Sequence, residues 1–197
     1  MIKENVVIGQ KSLRICAFRR VEIPYFLRFL FVAACLALAG CFTIPLESVY
    51  VPTKTSDWKF ASGSDRPGRT VAEFIPPNEV ISNWSRILTI QFFEGDRESP
   101  AQVMGNLHRI LQSTCPDVKW DVLSGSDTSI TYRWSVVKCS GQDDQIEIAR
   151  LLRGNDGIHR IAYARKGTHL APGEGEDWVE VFSKAYVLKG GKQISLP

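Results

Sequence analysis

The feature that most restricts the fold of this chain is a run of alternating residues in its second half. Across residues 129–138, Ile130, Tyr132, Trp134 and Val136 fall on one side of an extended chain, and Thr131, Arg133 and Ser135 on the other. A period of two is the repeat of a β-strand. With one side apolar and one polar, it predicts a half-buried antiparallel strand. Residues 118–123 alternate in the same way, and residues 145–153 and 158–165 supply two more strands. Between those two, Gly154-Asn155-Asp156-Gly157 is rich in residues that tolerate positive φ, which suits a hairpin.

The first half adds short strands at 58–60 and 70–75 and a β-branched, aromatic strand at 86–93. Residues 61–70 read as an exposed loop. A helix is announced at Ser99, which can cap it, with Pro100 at the first position and Gln102 completing a capping box. Val103, Leu107, Ile110 and Leu111 share one face, and Cys115-Pro116 ends the helix. A second helix is predicted over 176–188, with Trp178, Val181, Phe182, Ala185 and Tyr186 inward and Gly190-Gly191 as its stop. Glu174, Glu176 and Asp177 suit its positive end. The expected fold class is α+β: an antiparallel meander sheet with two main helices packed on one face.

Residues 1–40 read differently. Lys3, Lys11, Arg14, Arg19, Arg20 and Arg28 precede a 12-residue apolar stretch, FLFVAACLALAG. That length suits a secretory core and is short of the roughly 20 residues that span a bilayer. Leu38-Ala39-Gly40-Cys41 then resembles the lipobox of bacterial lipoproteins. The resemblance implies that residues 1–40 are a signal peptide and that Cys41 is the lipidated mature N-terminus. It further implies a partner membrane, held through acyl chains on Cys41. The alternatives are an uncleaved anchor with an incidental cysteine, and a twin-arginine signal at Arg19-Arg20. Phe42, where an aspartate would retain an enteric lipoprotein at the inner membrane, points to the inner leaflet of the outer membrane, facing the periplasm. Residues 41–57 read as a tether, 58–190 as a single domain and 191–197 as a tail.

Of five cysteines, Cys16 and Cys35 leave with the signal and Cys41 carries lipid. Cys115 and Cys139 remain in an oxidising compartment and are expected to form a disulfide; two buried thiols are the alternative. The charge changes meaning as well. The whole chain is +3, but the signal holds six basic and two acidic residues, leaving 18 basic against 19 acidic. The basic balance belongs to export, so nucleic acid is not an expected partner.

The element order, with tryptophan-led strands over residues 70–188, resembles the PsbP-like group, which includes many small bacterial lipoproteins. Asn83-Trp84-Ser85-Arg86 leading into Thr89-Ile90-Gln91-Phe92, followed by Cys115-Pro116, is similar to small bacterial secreted families. That likeness implies no catalytic residues.

No chemistry-bearing motif stands out. His108, His159 and His169 are not at metal-ligand spacing, and no GxSxG occurs. No metal and no cofactor are expected. Arg133, Arg150 and Arg160 place charge along the strands, where a shared face would meet an anionic envelope component. Trp120, Trp134 and Trp178 fit core positions, whereas Trp58 and Trp84, near strand starts, suit contact with a partner protein. The expected function is a non-enzymatic binding or scaffold module of the envelope. The alternatives are an accessory subunit of an envelope secretion or transport machine, and a hydrolase with a dispersed active site.

Overall fold

The computed structural model describes residues 5–8, 47–139 and 141–194. Cys41 and its lipobox lie outside them. Eleven strands and two main helices occur among the described residues: β1 (Asn5–Ile8), β2 (Glu47–Lys54), β3 (Lys59–Arg66), β4 (Arg69–Ile75), β5 (Arg86–Glu94), α1 (Pro100–Thr114), β6 (Lys119–Gly125), β7 (Ser129–Val136), β8 (Gln145–Arg153), β9 (Gly157–Lys166), α2 (Glu174–Ser183), β10 (Tyr186–Lys189) and β11 (Lys192–Gln193). The α+β class and the antiparallel sheet are as expected.

The main sheet has seven strands in the order β3-β4-β5-β9-β8-β7-β6, all antiparallel. The expected meander is present over β6–β9. It then closes back on β5, because α1 carries the chain across to the far edge before β6 begins. α1 starts as predicted, with the Ser99 hydroxyl accepting from the Gln102 amide and the Gln102 side chain accepting from the Ser99 amide.

The helices pack on opposite faces, not on one. Val103, Met104, Leu107 and Leu111 of α1 lie against Tyr132, Ala149, Leu151 and Ala162. Trp178 and Phe182 of α2 lie against Leu88, Ile148, Ile161 and Tyr163 on the other side. The reason is β9, which is buried on both faces from Gly157 to Ala164. A strand apolar on both sides needs cover on both sides.

Three boundaries differ from expectation. Residues 47–54, read as tether, form β2, whose Val49 and Val51 are fully buried in the core with α2. Residues 61–66, read as loop, are part of β3, an edge strand paired along its inner side with β4. The second helix ends at Ser183, and Tyr186–Lys189 is β10, paired with β2 and with β11. Gly190 and Gly191, at φ 58° and 78°, turn a hairpin rather than stop a helix, so the domain continues into the expected tail.

β1, β2, β10 and β11 form a second sheet on the α2 side. β1 falls within the segment the lipobox resemblance marks for removal. Cleavage before Cys41 would leave β2 as the outer strand.

Candidate functional site

α1 covers only the β7–β8 half of its face. The other half, floored by β3, β4 and β5, is an open groove of about 380 Å³. In-register pairing brings Ser62 and Ser64 of β3, Arg69, Val71 and Glu73 of β4, and Gln91 of β5 to it, with Arg66 at its end.

Arg66 and Arg69 are direct cross-strand partners flanking the Pro67-Gly68 turn. Gly68, at φ 78°, allows that turn. Both arginines are exposed, and neither forms an ion pair with a carboxylate among the described residues. The nearest acid in sequence, Asp65, accepts instead from the Thr70 hydroxyl at 2.9 Å. The Arg69 guanidinium lies 5.5 Å from the centre of the Phe93 ring, which holds it over the sheet. Like charges directly opposite repel. A phosphate or carboxylate between them would reverse that, and guanidiniums bind either through forked hydrogen bonds.

The inner wall of the groove is braced from below. Gln91 Oε1 accepts from Arg160 Nη1 at 3.0 Å. Arg160 is itself buried, donating Nε to the Tyr132 hydroxyl at 3.0 Å and Nη2 to Glu147, which also accepts from Trp134 Nε1 at 2.6 Å. Burial works against the charged guanidinium, but the Glu147 carboxylate and Tyr132 outweigh it and hold its pKa above the ordinary value.

The residues expected to form a binding surface are therefore not together. Trp58 is a core residue: its ring meets Tyr163 at 6.3 Å and Trp178 at 5.9 Å, edge to face. Arg160 is inside the protein. Arg150 points to the opposite face, where it donates to the Phe182 carbonyl and, at 3.3 Å, to Ser129 Oγ. Alternate residues of paired strands face opposite ways, so the charges at 150 and 160 cannot share a surface. Arg133 is exposed but paired with Asp121 at 2.8 Å. Trp84 is half-buried against Ile75 and Ile87, with the Lys166 ammonium 5.0 Å from its ring. Trp120 is half-buried and packs against the α1-side core, a slab between His108, at 4.5 Å, and Tyr132, at 4.8 Å. Cys115 and Cys139 lie at disulfide distance, with Cα atoms 5.5 Å apart, bringing the end of α1 to the loop after β7.

Arg66 and Arg69 were missed because residues 61–70 read as an unstructured loop. The signal available was the Arg-Pro-Gly-Arg turn itself, which sets two arginines opposite each other once flanked by strands. No histidine or cysteine lines the groove. No group of three or more histidine, cysteine or acidic residues able to hold a metal occurs among the described residues.

No protein-family model and no curated protein matches the chain. Two similar solved structures are the Saccharomyces cerevisiae Ran-binding protein Mog1p and a point mutant of protein Mog1. The first is 12% identical, with a TM-score of 0.49 over 74% of this chain and 93% of that one. The second is 11% identical, with a TM-score of 0.46 over 72% and 92%. Overlap at this level carries no inference about partners.

Proposed function

We propose that this chain is a lipid-anchored envelope protein whose domain is a non-enzymatic binding module, with the β3–β5 groove as its binding surface. The observation that carries the reading is the exposed Arg66–Arg69 pair, which no carboxylate among the described residues neutralises. The lipobox resemblance at Leu38-Ala39-Gly40-Cys41 supports the anchor and the compartment. The ligand is an anionic group on an envelope component.

Two measurements test this. Cys41→Ser should move the protein from the membrane fraction to the soluble periplasm, and the N-terminal peptide of the wild type should carry the mass of its lipid. The mature domain should co-sediment with isolated cell envelopes in a salt-sensitive manner. Arg66→Ala combined with Arg69→Ala should abolish that, whereas Arg133→Ala should not. Co-sedimentation unchanged by the double substitution would remove the groove from the reading.

A further inference from the structure

The geometry points to the bilayer itself as the partner of the Arg66–Arg69 corner: the phosphates of anionic lipid headgroups in the leaflet that holds the anchor. This rests on the lipid-anchor reading and names the ligand of the same groove.

The first link is Glu47. Its side chain is fully buried. It accepts from the backbone amide of Asn155 at 2.7 Å and of Asp156 at 3.1 Å, and lies 3.3 Å from His159 Nε2. Position 47 is therefore pinned to the β8–β9 turn. Only six peptide steps separate it from Cys41, a span of at most about 20 Å. A domain of this size is roughly 35–40 Å across. The attachment is thus shorter than the domain, and it decides which end meets the membrane.

The second link runs from that end to the arginines. Asp156 O accepts from the Gly95 amide at 2.8 Å, and the neighbouring Glu94 amide donates to Gly68 O at 3.0 Å. Gly68 lies in the turn between Arg66 and Arg69. Glu47, the β8–β9 turn, the end of β5 and the β3–β4 turn therefore form one connected end of the domain, and the groove opens there. The same end also carries Glu94, Asp96 and Asp127, so the attraction belongs to the arginine corner rather than to the whole surface.

Two guanidiniums at an anionic bilayer strengthen partitioning by roughly thirty-fold. With the lipid already holding the domain at the surface, that is enough to select one orientation.

The test uses the lipidated protein in vesicles doped with a headgroup-nitroxide lipid, carrying a fluorophore at Pro67→Cys, Asn155→Cys or, at the opposite end, Gln142→Cys. In phosphatidylglycerol vesicles, quenching should be strong at 67 and 155 and weak at 142. Arg66→Ala with Arg69→Ala, or replacement of phosphatidylglycerol by phosphatidylcholine, should reduce quenching at 67. Equal quenching at 67 and 142 would overturn the orientation. Quenching at 67 that ignores both the arginines and the lipid charge would overturn the headgroup assignment. The mass of the Cys41 peptide is measured on the same sample, so absence of lipid is seen as a failure of the anchor and not of the corner. Arginine-dependent binding to whole envelopes with none to the charged vesicles would leave the groove standing and sink its lipid partner.

Discussion

The carboxylate of Glu47 sits 3.3 Å from the Nε2 atom of His159, and both side chains are shut away from solvent. Phe92 stacks on the imidazole at 4.6 Å, closing the site from the sheet side. A β-carbon on Gly154 would stand 2.0 Å from Glu47 Oε2. That glycine is required for space, since its φ is not positive. Glu47→Ala removes the acceptor from two amides of the β8–β9 turn and leaves the buried His159 without its partner, and should cost about 2–4 kcal/mol of unfolding free energy. Gly154→Ala should be comparably damaging. Urea denaturation of the two variants checks both, with equal midpoints to the wild type as the contrary result.

The same carboxylate sets a pH dependence. Burial pushes Glu47 up, but hydrogen bonds from His159 and the Asp156 and Asn155 amides outweigh it and hold its pKa below the ordinary carboxyl value. Glu174 behaves alike: burial raises it, and bonds from Tyr163, the Ala171 amide and Arg165 lower it further than burial raises it. A carboxyl whose folded pKa is depressed contributes fully above its unfolded value. Its contribution is lost as pH falls through the folded pKa. The contribution of these two carboxyls should thus be fully present above the ordinary carboxylate range and be lost as pH falls through it, so the acid-side fall in stability should be less steep in Glu47→Gln and Glu174→Gln than in the wild type. Urea midpoints from pH 3 to 7 measure this.

Glu147 and Arg160 should show strong coupling. Glu147→Ala leaves a buried guanidinium without its counter-charge and should cost about 3–5 kcal/mol. Replacing both residues by apolar ones of similar volume should recover a large part of that. A double-mutant cycle by chemical denaturation reads the coupling, and simple additivity would contradict it.

Reduction of Cys115–Cys139, which closes a 24-residue separation, should lower stability by about 3.5 kcal/mol in the chain-entropy account. Thiol alkylation before and after reductant, followed by denaturation of each form, tests both the bond and its contribution.

Arg66→Ala with Arg69→Ala should leave stability within about 0.5 kcal/mol of wild type, or raise it slightly by relieving like-charge repulsion. A large destabilisation would mean that the pair holds the β3–β4 hairpin together instead of facing a ligand. Thermal unfolding at low and high salt separates the two.

Local patterns were legible wherever one residue's neighbours decide its state. The capping box at Ser99 and Gln102 and the alternation from Ile130 to Val136 follow from short-range rules, and the structure agrees with them. The failures share a different cause. Tyr186, Val187 and Leu188 continue the apolar spacing of α2, yet they form β10 because β2 lies beside them to pair with. Residues 47–54 and 61–66 look like linkers because one holds Pro52 and several hydroxyl residues and the other is polar, but each is paired in a sheet.

What the sequence determined by itself is the class of fold, the strand-rich second half, the first helix and the pair of sulfurs, since periodicity, capping and count are properties of the chain alone. The side of the sheet each helix covers, the burial of Trp58 and Arg160, and the facing of Arg66 with Arg69 were decided only in three dimensions. Strand register and order assign every side chain to a face. They depend on contacts between residues as far apart as Glu47 and His159, which no local pattern records.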